Sequence, residues 1–365
     1  MKVGKGYAGF ESLFIIGVLA AASASLTITQ LYSTAPAVLL TNMMLLYFLS
    51  ITGSHSLNKA SQIIMPAAAL AAGIFCGING RLTSYATGGA HHLTEVFHPV
   101  GQALHTAIDS IPFKDRDMNA LLKALLSGDR SDLTSSITEA FRTAGGSHIL
   151  ALSGLHLGII YAITDRISSV FGNSPKVRVA RSVFNIGICT SYSLATGASA
   201  SIIRALLFII LREAGIVSGR PVSLKDLLRK CLIIHLVINP LSIQEVGFQL
   251  SYAAIGGIAW MYPHLKSFWT EGNSWPIMKK IWDSAALSIS CQLPTAPLVW
   301  LYFNTFPTYF LLTNLFALPL TGILIPVSIL TAALNAADLC PAILTEACEK
   351  TASCLIHILK TISLM

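Results

Sequence analysis

Charged side chains are scarce in this chain of 365 residues. Asp, Glu, Lys and Arg together make up 11% of the sequence, less than half of the roughly 25% that is usual for soluble domains. Hydrophobic residues make up 53%, and the mean hydropathy is +0.66. A soluble domain with so few charges would be unusual, so the composition argues against a soluble protein.

Cysteine pairs with CxxC spacing are missing, although the chain has seven cysteines. Most of them lie within apolar runs, so we interpret them as small buried side chains. The GxxxxGK[ST] sequence of ATP-driven motors is missing too. The residues therefore predict neither a metal nor a cofactor, and energy for any transport would have to come from a partner ATPase or a gradient.

Long apolar runs dominate what is present. A membrane-spanning helix needs about 20 mostly apolar residues, and seven runs approach this length: 10–28, 35–52, 62–80, 183–196, 201–217, 285–302 and 309–334. They predict an all-α integral membrane protein, a polytopic helical bundle with broken or re-entrant helices and amphipathic interfacial helices.

We predict that the chain has four parts. These are membrane spans in 1–80, an extracytoplasmic amphipathic segment in 81–118, a helical domain with interspersed polar residues in 119–334 and an amphipathic helix in 335–365. Lys and Arg mark cytoplasmic loops, and they cluster at Lys2 and Lys5 and in 166–181 and 212–230. We therefore expect a multi-pass membrane protein with a cytoplasmic amino terminus.

Two stretches have interrupted helical patterns. In 231–261, Asn239-Pro240 divides the apolar residues into two pieces, which predicts a broken or re-entrant helix pair of the kind that borders a substrate path. Near residue 95, His92, Glu95 and His98 share a helical spacing. Pro99 is expected to interrupt that helix, so an amphipathic interfacial helix explains this stretch better than a metal site.

The densest polar signal is GDRSDLTSSITEAFRTAGGSHILALSGLHLGII, residues 128–160. Ser131 or Asp132 is expected to cap a helix that ends at Gly145-Gly146. A second helix is expected to begin at Ser147 and run on into the membrane.

That second helix would carry His148, Ser153 and His156, with both imidazoles on one side. These three residues either line a polar path or pack between helices, with each histidine bonded to a backbone carbonyl. The sequence around Ser153 lacks the nucleophile-elbow pattern and a nearby acid, so we predict no catalytic residues and no enzyme activity.

Arg204 lies within a run of apolar residues. A buried arginine binds a phosphate through its planar fork, or pairs with a carboxylate such as Glu245. Glu245 and Gln249 are four residues apart and therefore share a helix face. That face could pair with Arg204 or line the same path.

The order of these blocks resembles the ComEC family of competence proteins. The similarity is carried by residues 128–160, by Arg204-Ala205, and by Asn239-Pro240-Leu241, GFQLSY at 247–252, QLPTAP at 292–297 and Asn314. It extends over about 119–333. The resemblance implies an inner-membrane channel that carries one DNA strand into the cytoplasm while the other strand is degraded outside.

The resemblance also implies site residues. His148, Ser153, His156, Arg204 and Gln249 match family blocks and are expected to line or support the channel. We add Glu245 for its shared face with Gln249. We also add Arg142, one of several basic residues of the outer segment that could cluster in space.

Many ComEC family members also contain an OB-type β-barrel and a metallo-β-lactamase-like domain. The segment 81–112 is too short for such a barrel, and no HxHxDH signature occurs in the sequence. The expected partners are therefore single-stranded DNA, the lipid bilayer and a separate ATPase, DNA receptor and nuclease; the oligomeric state stays open.

Two alternatives remain: a transporter of another anionic substrate, such as a lipid or sugar phosphate, and a partial channel that acts only with partner proteins.

Overall fold

The computed structural model describes residues 89–172, 174–220, 222–238, 242–243, 245–269, 276–304 and 308–364. The predicted spans in 10–28, 35–52 and 62–80, and the Asn239-Pro240-Leu241 block, lie outside these residues. The described residues fall into two compact units, one formed by residues 89–228 and 250–364 and the other by residues 229–249.

Helices are the regular elements throughout the described ranges, which confirms the all-α class. Twelve α-helices follow one another there: α1 Gly89–Asp109, α2 Arg116–Ser127, α3 Ser135–Thr143, α4 Ser147–Leu150, α5 Gly154–Ser168, α6 Pro175–Ala195, α7 Ala200–Val217, α8 Leu224–Ile238, α9 Val246–Ser267, α10 Pro276–Phe303, α11 Phe310–Ala336 and α12 Ala342–Ser363. A 3₁₀ turn, Ser169–Phe171, follows α5.

The main core of the larger unit forms where α11 and α12 pack against each other and against α1, α2 and α3. Helix α2 shows why its sequence folds this way, because Met118, Leu121, Leu122 and Leu125 recur on one face and are all buried. Its ends are well defined. The Asp115 side chain accepts a hydrogen bond from the Asp117 N–H, and the helix stops at Gly128, where φ is 80°.

A second cluster joins α5, α6 and α7, which contact one another pairwise. Its buried side chains include Leu157, Cys189, Ile202 and Leu206. Gly154 allows the start of α5 to approach α7 closely, because a β-carbon at this position would lie 3.3 Å from the Ala205 Cβ. This three-helix group positions most of the polar residues discussed below.

Pro99 does not interrupt α1, contrary to the sequence prediction, since the helix continues from Gly89 to Asp109. Proline removes one backbone donor, but packing of α1 against α2 and α6 offsets that loss. Near the end of α1, Ile108 is fully buried, whereas Val100 remains half exposed.

Two helices in the described part of the chain are long and apolar enough to cross a membrane, Met278–Phe303 and Phe310–Ala336. They correspond to the predicted runs 285–302 and 309–334. Both contain internal prolines, which are more frequent in membrane helices than in soluble ones. The runs 183–196 and 201–217 fall in α6 and α7, and a multi-pass topology stays a prediction.

The predicted interruption after residue 238 is confirmed as a helix break, because α8 ends at Ile238 and α9 begins at Val246. The first piece is longer than expected, since α8 already starts at Leu224. Whether this pair is re-entrant stays a prediction.

Replacement of Phe141 by alanine tests the main core. Phe141 is 1% exposed, and removal of a buried phenylalanine typically lowers the free energy of unfolding by about 3–5 kcal/mol. The expected result is a clear drop in the thermal unfolding midpoint of the purified protein. Phe171→Ala is the matched control, because Phe171 is 75% exposed; equal midpoints for the two variants would contradict this core.

Candidate functional site

The first residues of the polar motif shape a turn. The Asp129 carboxylate accepts a hydrogen bond from the Ser131 N–H at 3.0 Å, and this bond holds the pKa of Asp129 below its ordinary value. Lys123 lies 2.7 Å from Asp109 and 2.8 Å from Asp132, and hydrogen bonds to these carboxylates raise the pKa of Lys123. The charges of this stretch therefore hold the ends of α1 and α2 together.

These contacts explain one wrong prediction. Neither Ser131 nor Asp132 caps α3, which begins only at Ser135 after Thr134. Ser131 is held in the Asp129 turn and Asp132 is held by Lys123, so neither is available as an N-cap.

Arg142 lies on the exposed surface of α3 and pairs with Glu139. Its Nε lies 2.9 Å from one carboxylate oxygen and a terminal nitrogen lies 2.7 Å from the other. This hydrogen-bonded pair lowers the pKa of Glu139. Because the guanidinium fork is occupied, Arg142 would have to exchange Glu139 for a phosphate before it could contact a substrate.

The Gly145-Gly146 turn ends α3, as predicted. Gly145 has a φ of 75°, and the Gly146 N–H donates to the Phe141 carbonyl at 2.7 Å. Thr313, in the first turn of α11, donates its hydroxyl to the Ala144 carbonyl at 2.5 Å. The start of α11 therefore fixes the turn that leads into the histidine segment.

The prediction of one continuous helix from Ser147 is wrong. The chain forms the single turn α4, which ends at Leu150, and α5 starts afresh at Gly154 with Ser153 as its N-cap. The Ser153 Oγ accepts from the Leu155 N–H at 3.3 Å, and the His156 Nδ1 accepts from the Ser153 N–H at 3.2 Å. A serine that bonds nearby backbone groups favours a helix start over a helix interior, and this explains the break.

Serine and histidine here form a capping pair. The Ser153 Oγ lies 3.0 Å from the His156 Nδ1, a distance that would also suit a nucleophile and its base. The Nδ1 already accepts the Ser153 backbone N–H, so that nitrogen is engaged in holding the helix start. The contact between Ser153 and His156 therefore caps the start of α5.

The other ring nitrogen of His156 is the notable feature of this turn. His156 is 1% exposed, and its Nε2 is buried without a hydrogen-bond partner among the residues that the structure describes. A buried polar group left in this state costs about 1–3 kcal/mol, so a water molecule or a substrate group that paired with it would be stabilised there.

His148 comes close to His156 although the two residues lie on separate helices. Its ring interacts with the Gly145 backbone and the Asn314 side chain, and the two imidazoles are near enough to interact electrostatically. The structure thus brings His148, Ser153 and His156 together around the helix break, next to the first turn of α11. Asn314 belonged to the matching blocks but was not predicted as a site residue.

Arg204 is buried in α7, 2% exposed, as the sequence indicated. Ala205, its neighbour, is the residue against which Gly154 packs. Arg204 therefore lies one residue away from the contact between α7 and the start of α5.

Glu245 and Gln249 belong to the smaller unit. Gln249 donates its backbone N–H to the Glu245 carbonyl at 3.1 Å and its side-chain amide to the Ile243 carbonyl at 3.0 Å. The Glu245 side chain is exposed. These bonds form the start of α9, and the pairing of either residue with Arg204 stays a prediction.

A buried carboxylate that the sequence analysis did not single out lies in the middle of the three-helix group. Glu213 accepts hydrogen bonds from the Tyr161 and Ser182 hydroxyls, each at 2.5 Å, and from the Asn185 amide at 3.5 Å. All four side chains are buried. An acidic residue one position beyond Arg212, at the end of a long apolar run, was the available signal, but its partners lie 28 to 52 positions away in sequence.

Within the described residues, no group of three or more His, Cys, Asp or Glu side chains is arranged to bind a metal ion.

Glu213→Gln tests the buried carboxylate. A glutamine replaces one acceptor oxygen by an NH₂ group, so the hydrogen bonds are no longer made to a carboxylate and one hydroxyl must turn round to accept. The free energy of unfolding is therefore expected to fall by about 1–3 kcal/mol. The measurement is the thermal midpoint of the purified protein. Glu139→Gln serves as the control, because Glu139 is exposed, and it should leave the midpoint nearly unchanged; an equal drop in both variants would contradict a special role for Glu213.

Comparison with known proteins supports the resemblance drawn from the motifs. Residues 125–365 match the family model described as "Competence protein". "ComE operon protein 3" of Bacillus subtilis (strain 168) is 32% identical over 137 residues, which are 38% of this chain and 17% of that protein. "Uncharacterized protein YcaI" of Escherichia coli (strain K12) is 24% identical over 233 residues, 61% of this chain and 29% of that protein.

The matched segments span less than a third of the length of either relative. No solved structure matches the chain. Because the family match extends over residues 125–365, well over half of the sequence, this chain belongs to the Competence protein family.

Proposed function

We propose that this protein forms the inner-membrane channel through which single-stranded DNA enters the cytoplasm during natural competence. The family match over residues 125–365 carries this proposal. It is supported by two helices that are long and apolar enough to span a membrane, Met278–Phe303 and Phe310–Ala336.

The broken helix at residues 151–153 is the element that we assign to the path. Irregular backbone at membrane depth is tolerated where it lines a cavity or is enclosed by protein. Here the break places the amino-terminal end of α5, which carries the partial positive charge of the helix dipole, beside the Nε2 of His156. A negatively charged strand is attracted to such an end.

Two side chains near the break are suited to phosphate. The planar fork of a buried arginine such as Arg204 binds phosphate oxygens through paired hydrogen bonds. The Nε2 of His156 can donate to an oxygen once it carries the ring proton. His148, Glu245, Gln249 and Arg142 are the other residues that we assign to the path, with Arg142 at an exposed position.

The proposed setting is a multi-pass inner-membrane protein with a cytoplasmic amino terminus. A separate ATPase, a DNA receptor and a nuclease would supply the energy, the capture of duplex DNA and the removal of the second strand. This chain itself is proposed to act as a conduit rather than as an enzyme.

The test measures labelled DNA that reaches the cytoplasm of competent cells. Cells that lack the gene are complemented with the wild type, Arg204→Ala, Arg204→Lys or His156→Ala, at matched protein levels in the membrane. Loss of a hydrogen-bonded charged contact costs about 1.5–3 kcal/mol, so we expect Arg204→Ala to reduce entry tenfold or more. Arg204→Lys should retain part of the activity, because it keeps the charge without the fork.

Lys350→Ala is the control, because Lys350 is exposed on α12 and pairs only with Glu346 one helical turn away among the described residues. It should leave uptake unchanged. Entry that is unaffected by deletion of the gene would contradict a DNA channel and favour a transporter of another anionic substrate. Restoration that requires a co-expressed partner would favour a partial channel.

A further inference from the structure

A cavity of about 510 Å³ lies between the carboxyl-terminal part of α5 and the facing side of α7. Its volume falls within the range of about 300–1,000 Å³ that is usual for small-molecule sites. Arg166, on its rim, is twelve residues beyond Gly154, which places it about 18 Å along α5 from the capped start of that helix. The cationic rim is therefore distant from the histidine turn, although Gly158, two residues after His156, also lines the cavity.

The rim of this cavity is cationic. Arg166 and Arg212 line it, are exposed, and form no ion pair with any other residue in the described part of the chain. The Arg212 guanidinium carbon lies 5.2 Å from the centre of the Tyr161 ring, which holds the charge over the cavity.

One carboxylate, Asp165, also lines the cavity, but it and the neighbouring Glu213 are engaged by other residues. Asp165 pairs with Arg181 at 3.1 Å, and the Asn185 amide also donates to it, at 3.3 Å. The Glu213 carboxylate is buried and enclosed by hydrogen-bond donors. The lining therefore holds two arginines against one aspartate that is already paired with Arg181, and this net positive charge suits a group that bears a phosphate.

Part of the lining is apolar. It includes Ala162, Phe208, Ile209 and Leu227. Gly158 also lines the cavity, and a β-carbon built at Gly158 would meet no atom within 4 Å. A ligand that fills this space would carry an apolar portion directly attached to its anionic group.

The surface around the rim has the composition of a membrane interface. Residues 166–181 contain four basic residues and no acidic residue. Large apolar side chains are exposed beside them, including Ile167 at 57%, Val170 at 84% and Phe171 at 75%. Basic and apolar side chains exposed together are typical of surfaces that contact anionic lipid headgroups.

We propose that this cavity binds the headgroup of an anionic phospholipid, with its phosphate between Arg166 and Arg212 and its glycerol and first acyl carbons against Phe208 and Ile209. This site goes beyond the proposed channel function and does not require it. The bound lipid bridges α5 and α7, the two helices whose opposite ends carry His156 and Arg204.

The experiment uses the full-length protein in neutral detergent and measures binding by native mass spectrometry and by the shift of the thermal midpoint. The probes are phosphatidylglycerol, phosphatidylcholine, sodium phosphate and a thymidine oligonucleotide. We expect phosphatidylglycerol to bind and to raise the midpoint, with at least a tenfold preference over phosphatidylcholine. Arg166→Gln combined with Arg212→Gln should weaken this binding at least tenfold.

The matched control is Lys176→Gln combined with Arg220→Gln, which removes the same charge from exposed positions that do not line the cavity. It should leave phosphatidylglycerol affinity within about twofold. Equal weakening in the two double variants would mean diffuse surface charge and would overturn the proposal, as would failure of the wild type to prefer phosphatidylglycerol.

Gly158→Leu tests the apolar part of the lining while both arginines remain. The leucine side chain fills space that the protein leaves open, so we expect at least a fivefold loss of phosphatidylglycerol affinity with an unchanged lipid-free midpoint. This variant also keeps the proposal testable if the arginine double variant does not fold. Tighter binding of the oligonucleotide than of the lipid, lost in the arginine double variant, would make this a site for the strand and overturn the assignment to lipid.

Discussion

The hydrogen bonds of the Glu213 carboxylate are the interaction on which the three-helix group depends. A buried charge is costly unless donors surround it, and here donors from Tyr161 on α5 and from Ser182 and Asn185 on α6 converge on an acceptor from α7. These bonds are directional, so they fix the helices relative to one another more narrowly than apolar contacts alone. Both ends of α5 take their positions from this arrangement.

At one end of α5, residues of the family motif hold the helix break in place. Ser153 and His156 cap the helix, Gly154 lets it approach Ala205, and Thr313 of α11 holds the preceding turn at Ala144. The same contacts leave the Nε2 of His156 buried without a partner in the described residues. A motif can therefore hold a helix break in place and, by doing so, present polar atoms at that break. At the other end of α5, the same helix pair encloses a cavity with a cationic rim.

Sequence reasoning performed best where the signal was local. The turn at Gly145-Gly146, the burial of Arg204 and the break after residue 238 follow from residue type and short-range pattern, and the structure contains all three. It failed where two local preferences competed. At Pro99 packing of the helix prevailed over the missing donor, and at Ser153 capping prevailed over continuation of the helix.

The sequence by itself determined the helical class, the apolar runs and the family, because composition, periodicity and contiguous motifs are properties of the chain before it folds. Only the tertiary structure decided which distant residues meet. Glu213 and Tyr161 are 52 positions apart, and Thr313 and Ala144 are 169 apart. No spacing rule links such pairs, because their proximity results from how whole helices pack. For the same reason, the cavity rimmed by Arg166 and Arg212 is visible only once α5 and α7 lie side by side.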